Sequence, residues 1–295
     1  MRTVARRGDG KAAFWMLAPF ALFFTAFVIY PLITNFYYSV TNYRLGHGGG
    51  VDFVGLNNYT RLFRDSDFLI SMRNTFIYAF FSVVLLTVAG LFFALACNRR
   101  GRIIKTARGV FIAPYAISFV AASLIWLMLL DPGLGAVNKI LVAFGVNQPP
   151  SWLFDANLAL PSLIAINVWK NAGYVMLLFL AGLQSVPLEL YDAAKIDGAG
   201  LIQKIRNVTI PSISPITIFV LVTVCIESFK TFEQVKIMTG GGPMLRTSTV
   251  VYQIYVRAFE DFQMGYAATQ SIALLFIVLL VTLANFKAIA KRGVD

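Results

Sequence analysis

Two stretches of the sequence place hydrogen-bonding groups inside surroundings that are otherwise hydrocarbon. Residues 166–176 read INVWKNAGYVM and residues 226–234 read IESFKTFEQ. In the first, Asn167, Lys170, Asn171 and Tyr174 recur at i, i+3, i+4 and i+7 and so share one face of a helix. In the second, Glu227, Lys230 and Thr231 share a face in the same way, with Ser228 beside them. Polar groups in such segments are costly, so they either stitch helices together or line the path of a polar solute. Amides, hydroxyls and aromatic rings side by side suit a ligand with an apolar ring face and many hydroxyls, such as a sugar. Lys170 and Glu227 carry opposite charges. An approach between them in one state would bind hydroxyls or set gate closure, and removing one partner of such a buried pair is costly. Covalent chemistry is not indicated, because these acids lack a neighbouring nucleophile, acid–base partner or metal cluster. His47 is the single histidine and sits in a glycine-rich loop. Cys97 and Cys225 fall at or within apolar runs and read as small hydrophobes, so neither a metal site nor a disulfide framework is expected.

The elements that must position these residues are membrane spans. The hydrophobic fraction is 58% and the charged fraction 13%, about half the ~25% of an ordinary soluble chain. The mean hydropathy is +0.72. About six apolar runs follow one another, each near the ~20 residues that cross a hydrocarbon core. They lie at about 14–39, 74–97, 107–130, 158–183, 211–232 and 267–287. Continuous runs of this length favour helices over barrel strands. The first run is too long for a signal-peptide core and reads as a retained span. The fold class is therefore all-α, a polytopic membrane protein. Its organisation is an N-terminal segment 1–13, a transmembrane domain 14–287 with a polar loop at about 184–210, and a tail 288–295. Gly90, Gly173 and Gly182 are expected to permit close helix packing. Trp15, Tyr37 and Tyr38 read as interfacial anchors.

The formal charge of +11 belongs to loops rather than to a nucleic-acid-binding domain. Arg2, Arg6, Arg7 and Lys11 flank the first span. Arg99, Arg100, Arg102, Lys105 and Arg108 follow the second, Lys195, Lys204 and Arg206 follow the fourth, and Lys287, Lys291 and Arg292 follow the last. The opposite loops are longer and poorer in basic residues. The positive-inside rule then puts both termini and the 184–210 loop in the cytoplasm. The basic run after the second span also meets anionic lipid. The opposite loops carry a glycine-rich turn near His47, the pair Pro149-Pro150 before Trp152, and the break Gly240–Pro243 before an amphipathic stretch, and read as structured connectors.

The polar loop is punctuated like a folded element. Ser185 is placed to cap a short helix over 188–196, with Pro187 in its first turn and Glu189 near its positive end. Ala193 and Ala194 leave backbone close to the surface, so a partner can pack tightly there. Asp197 is expected to cap a second helix over 198–208, with Gly198 and Gly200 at the bend. Pro211 and Pro215 come early in the fifth span, where a missing N–H costs least.

Asp192-Ala193-Ala194, Asp197-Gly198-Ala199 and Ile210-Pro211 resemble the signature loop of binding-protein-dependent ABC importer permeases, the MetI-like transmembrane fold. That family usually has Glu at Asp192. AGLQSVPLELYDAAKIDGAG at 181–200, TGGGP at 239–243 and YPL at 30–32 are similar to the carbohydrate subgroup, and the chain resembles the larger maltose-type permease subunit. The resemblance covers nearly the whole chain from about Phe14. It implies a coupling helix, here Tyr191, Asp192, Ala193, Ala194, Asp197, Gly198 and Ala199, that docks on a cytoplasmic ATPase subunit. It also implies two copies of that ATPase using ATP and Mg, a second homologous permease subunit, an extracytoplasmic solute-binding protein, and residence in a bacterial or archaeal cytoplasmic membrane. The chain itself is expected to bind no cofactor, metal or nucleic acid, and it has no G-x-x-x-x-G-K-[ST] motif. Asn167 and Tyr174 match sugar-lining residues of the maltose-type subunit in type and position, whereas Glu227, Ser228 and Thr231 differ from theirs. The cargo that follows is an oligosaccharide or related polyol, with a glycerophosphodiester as the alternative. A self-sufficient secondary transporter would show an ion-coupling site or inverted halves, and neither is evident.

Overall fold

Backbone that crosses hydrocarbon has no water to bond, so each apolar run must satisfy its own N–H and C=O groups, and here all of them do so as helices. The structure, a computed structural model, describes residues 9–46, 51–99 and 101–290. Arg2, Arg6, Arg7, His47, Arg100, Lys291 and Arg292, and the side chains of Lys11 and Lys287, lie outside the described residues.

In chain order the helices begin with α1 (Asp9–Phe24), a π turn (Thr25–Ile29) and α2 (Tyr30–Ser39). Next come α3 (Asn57–Leu62), α4 (Ser66–Cys97), α5 (Arg102–Ala116), α6 (Phe119–Leu129) and α7 (Ala136–Ala143). They continue with α8 (Ala159–Gln184), α9 (Leu188–Ile196), α10 (Leu201–Lys204), a π turn (Ile205–Thr209), α11 (Ile210–Ser212) and α12 (Ser214–Phe229). A π turn (Val235–Thr239), α13 (Val250–Tyr255), a π turn (Val256–Glu260) and α14 (Met264–Ala290) complete the chain.

Among the described residues four helical segments are each long and apolar enough to cross a membrane: Phe14–Ser39, Ser66–Cys97, Ala159–Gln184 and Met264–Asn285. Two bent pairs bring the number to six: α5 with α6, turned by 96°, and α10–α11 with α12, turned by 70°. The apolar runs at about 107–130 and 211–232 give no sign of either bend by length alone. Proline explains where the bends fall. Pro114 sits inside α5 two residues from its end, and Pro215 opens α12. Neither has an N–H to carry the ladder onward. The expected second loop helix over 198–208 is likewise replaced: α10, its π turn and α11 form the first arm of the bent fifth span.

The chain divides into two compact units. One holds the residues up to Arg64 together with Ile254–Ala273. There, Thr41 bridges Phe53, and Asn42 and Asp52 bond each other three times. Asn58 donates to the carbonyls of Ser39 and Thr41, and Thr269 donates to that of Ser39. Arg61 donates to Gln263 and lies over the Tyr266 ring. Trp15 and Tyr37 are exposed, and Tyr38 is half-buried and stacked on Tyr43.

The other unit holds Asp65–Gln253 and the residues from Leu274 onward. Its centre is α8, against which α4, α5 and α12 pack. The core includes Leu86 and Ala94 of α4, Val175, Met176 and Phe179 of α8, and Val220 of α12. Close approach is built into α8 and α4 by small residues. A Cβ on Gly173 would collide with the backbone of Phe111 in α5. One on Gly182 would meet the Ile216 side chain of α12 at 2.6 Å, and one on Gly90 would strike Val175. The loops are pinned by side chains. Asn138 donates to Pro132 and Pro150 and accepts from the Trp152 indole, while Asn74 of α4 holds the carbonyls of Leu245 and Ser248 beyond the glycine break.

The collision at Gly173 is with backbone, which cannot swing aside. Gly173→Ala is expected to lower stability by about 1–3 kcal/mol, the usual cost of overpacking. Gly109→Ala, where a Cβ meets nothing within 4 Å, is expected to have no destabilising effect. Thermal unfolding of the detergent-purified protein distinguishes the two.

Candidate functional site

A cavity of about 420 Å³ lies within the larger unit, walled by α4, the α5–α6 bend, α8 and α12 with the turn after it. Each wall contributes a different chemistry. From α8 come Asn167, Asn171 and Tyr174, one face of the helix as their spacing requires. From α12 and the following turn come Thr223, Glu227, Ser228, Lys230, Thr231 and Glu233. Tyr78 and Leu86 of α4, Tyr115 and Phe119 at the bend, Val175 of α8 and Val224 of α12 complete the lining.

The amides are held in place rather than left loose. Asn167 donates to Ser82 at 3.1 Å, and Asn171 donates to the Asn167 side chain at 2.7 Å and to its carbonyl at 3.0 Å. The Tyr78 hydroxyl accepts from the buried Gln234 amide at 2.7 Å, and Gln234 also donates to the carbonyl of Leu163. Ser228 turns its hydroxyl back onto the carbonyl of Val224. Tyr115 and Tyr174 stack with centroids 4.7 Å apart and planes 10° from parallel, making a continuous aromatic wall. Six of the seven pathway residues proposed from the sequence therefore line one space: Asn167, Asn171, Tyr174, Glu227, Ser228 and Thr231.

Lys170 does not. It is buried, and its ammonium donates to the backbone carbonyls of Pro114, Tyr115 and Ile117 at the end of α5. Glu227 instead pairs with Lys230 one turn on, at 3.1 Å. The expected Lys170–Glu227 approach is thus not made in this structure, because each group has a nearer partner. The Glu227 and Lys230 side chains are 66% and 60% exposed, so that pair is well solvated and adds little to stability.

Several lining residues were not picked out from the sequence. Tyr78 belongs to a buried polar stripe on α4, with Ser71, Asn74, Thr75 and Ser82. Its 3–4-residue spacing is the signal that would have found it. Tyr115 and Phe119 flank the break that Pro114 marks, and are invisible while the segment is read as straight.

The second candidate region is α9. Its C-terminus is a Schellman turn: Gly198, at φ +75°, donates to the carbonyl of Lys195, and Ala199 to that of Ala194. Asp197 is therefore the C-cap of α9, not the N-cap of the next helix. That helix starts at Leu201, with Gly200 bonded to the Gln203 side chain. Ser185 closes α8 by donating to the carbonyl of Gly182, so it does not cap α9 either. Asp192, Ala193, Asp197 and Gly198 are exposed, and Ala194 and Ala199 half-buried. Leu188, Ile196, Leu201 and Ile202 present apolar side chains beside them. Tyr191 turns inward, packs on the core and shares a hydrogen bond with the buried Thr209 at 3.1 Å.

Arg108 shows the same economy as Lys170. It reads as a topogenic charge, but it donates to the carbonyls of Cys97 and Arg99 and so closes the C-terminus of α4.

The family described as binding-protein-dependent transport system inner membrane component matches residues 86–294. The sn-glycerol-3-phosphate transport system permease protein UgpA of Yersinia pestis is 34% identical over 272 residues, which cover 90% of each chain. The protein of the same name from Shigella flexneri is 31% identical over 278 residues, covering 94% of this chain and 93% of its own. A chain of a bacterial alginate ABC transporter, solved in complex with an alginate pentasaccharide-bound periplasmic protein, superposes with a TM-score of 0.86 at 22% identity. The match covers 98% of this chain and 97% of the other. At that identity the likeness concerns the fold.

Removing the Tyr78 hydroxyl leaves the Gln234 amide without its shortest partner in a buried setting. Tyr78→Phe is expected to cost about 1–3 kcal/mol, the penalty of an unsatisfied buried polar group. Thermal unfolding of the purified protein against the parent is the check.

Proposed function

The chain belongs to the family of binding-protein-dependent transport system inner membrane components and is a permease subunit of an ABC importer, and on that premise we propose that the cavity beside α8 and α12 is the passage for a neutral polyhydroxylated solute, a sugar or polyol. The observation that carries this reading is the lining. A stacked Tyr115–Tyr174 wall faces amides and hydroxyls from Asn167, Asn171, Ser228 and Thr231. Rings offer their faces to the apolar side of a pyranose, and the anchored amides exchange hydrogen bonds with its hydroxyls.

Charge separates this from a second reading. The relatives' names assign them sn-glycerol-3-phosphate, which favours an anionic solute of that kind. Among the lining residues here, however, Glu227 and Glu233 are acidic and the ammonium of Lys230 is already paired with Glu227. A phosphate entering this half of the passage would meet carboxylates rather than an unpaired cation.

The work of transport is assigned to partners. In this reading α9 faces the cytoplasm with both termini and docks on one of two ATPase subunits that hydrolyse ATP with Mg. A second permease subunit supplies the other half of the passage, and an extracytoplasmic binding protein delivers the solute. Support comes from the build of α9: a capped, stiff nine-residue helix with exposed Ala193 and a rim of Leu188, Ile196, Leu201 and Ile202. Small residues let a partner approach the backbone, and the aliphatic rim offers it buried area. Tyr191 and Thr209 then carry displacement of α9 to the first arm of the fifth span.

The assembled complex in proteoliposomes tests both parts. Uptake is expected for a neutral sugar or polyol from a panel that includes sn-glycerol-3-phosphate. Uptake of the phosphate alone would replace the first reading with the second. Ala193→Arg is expected to cut uptake by more than about tenfold, a loss of at least ~1.4 kcal/mol in docking, and to abolish stimulation of ATP hydrolysis by loaded binding protein. Normal uptake in that variant would remove α9 from the docking role.

A further inference from the structure

Lys170 is the charged side chain among the buried residues of α8, and the passage does not use it. Its surroundings explain why it is there. α5 ends at Ala116 and α6 starts at Phe119, with their axes 96° apart. A helix end leaves its last carbonyls without partners, and at membrane depth water cannot supply them. The Lys170 ammonium fills that need, donating to Ile117 at 2.6 Å and to Pro114 and Tyr115 at 3.3 Å each. A cation at the C-terminal end of a helix is also favoured by its dipole. The rings of Tyr115 and Phe119 sit around the same ammonium, with centroids 5.6 and 5.3 Å away, within cation–π range.

Those two rings are the bend's contribution to the cavity lining. Tyr115 stacks on Tyr174 of α8, and Trp126 of α6 meets Trp169 of α8 edge-on at 5.3 Å. One short stretch of α8 thus grips both arms of the bend. Trp169 holds α6, Lys170 holds the junction and Tyr174 holds the end of α5.

We propose that Lys170 is a positioning residue for transport: its ammonium clamps the α5–α6 bend and so fixes the aromatic wall of Tyr115 and Phe119 along which the solute passes. The proposal rests on the cavity being the passage. A lysine suits the task because it offers three N–H donors from a compact head, and three carbonyls converge on it.

The test uses the assembled complex with Lys170→Met, Lys170→Arg and Tyr115→Ala. Uptake and binding-protein-stimulated ATP hydrolysis are measured together, because a general folding defect lowers both. Lys170→Met is expected to lower uptake by about tenfold or more while stimulated hydrolysis stays within about twofold. Lys170→Arg, which keeps the donors, is expected to recover most of the uptake. Tyr115→Ala is expected to reproduce the Lys170→Met phenotype, and the double variant to be no worse than either, as for two changes on one path. Where Lys170→Met does not assemble, Lys170→Gln serves in its place. Spin labels at Gly109 and Ile125, exposed positions on the two arms, report the bend itself once Cys97 and Cys225 are replaced by alanine. Their distance distribution is expected to broaden in Lys170→Met and to broaden less in Tyr115→Ala, which loses the Tyr174 stack but keeps the ammonium on its three carbonyls. An unchanged distribution in Lys170→Met overturns the clamp. Loss of uptake in Tyr115→Ala but not in Lys170→Met overturns the role of Lys170 and leaves the passage standing. A broadened bend with full uptake in both variants overturns the passage, and the transport role with it.

Discussion

A polypeptide that bends inside hydrocarbon must find hydrogen-bond partners for the groups the bend releases, and this chain is organised around how it does so. At the α5–α6 junction the partner is a side chain, Lys170, reaching from the neighbouring helix. At the α11–α12 junction the backbone nearly repairs itself: Ile213 donates to Thr209, and Thr217 donates back to Ile213 across the break. At the C-terminus of α4 the donor is the Arg108 guanidinium. Breaks of different sharpness receive donors of different strength. The 96° turn takes an ammonium, and the 70° turn is held by main-chain bonds. The same rule makes the cavity possible, because a bent helix leaves room that two straight ones would fill.

That room lies beside α8, and α8 is suited to border it. Along one part of its surface Gly173 and Gly182 bring α5 and α12 into contact closer than any side chain allows. Along another, Asn167, Asn171 and Tyr174 face open space. The first property stabilises the second. Side chains that line a cavity lose packing partners on one side, and they keep their geometry when other bonds fix them. The Ser82–Asn167–Asn171 chain and the Tyr78–Gln234–Leu163 chain provide that fixing. The charged residues around the Glu227–Lys230 pair are the more solvated part of the lining, and so the part with the least holding it in one arrangement.

Much of this was legible in the residues, and the limits have physical causes. Span number and approximate position follow from apolar length alone, so the first span is read at 14–39 and the structure has it at Phe14–Ser39. The close contacts at Gly90, Gly173 and Gly182 follow from residue size. The i, i+3, i+4, i+7 pattern brought Asn167, Asn171 and Tyr174 together because helical periodicity is a property of the backbone. It misplaced Lys170, because a long flexible stem reaches past the face its Cα occupies. Charge complementarity suggested Glu227 as its partner, but backbone carbonyls released by a bend carry no mark in the sequence beyond Pro114. The caps around α9 failed for a related reason. Ser185 and Asp197 are good N-cap residues by type, yet a Schellman turn at Gly198 and a tight junction with α8 gave both of them to the helix that precedes.

The geometry of the fifth span bears on how motion at α9 would reach the cavity. Tyr191 is bonded to Thr209 and packed on the core cluster, so α9 is tied to the first arm of the fifth span. Beyond the bend α12 is an uninterrupted helix of 16 residues, Ser214–Phe229, about 24 Å long at ~1.5 Å per residue. A tilt of roughly 5° at its root moves its far end by about 2 Å over that length, and that end carries Glu227 and Ser228 into the cavity wall. On the opposite wall, Gly173 and Lys170 tie α8 to α5 and to the bend. The Glu227–Lys230 pair lies wholly on the α12 side of the cavity, solvated and only one turn in span, so a displacement of that wall would carry the pair along intact, where a buried pair between the walls would resist it.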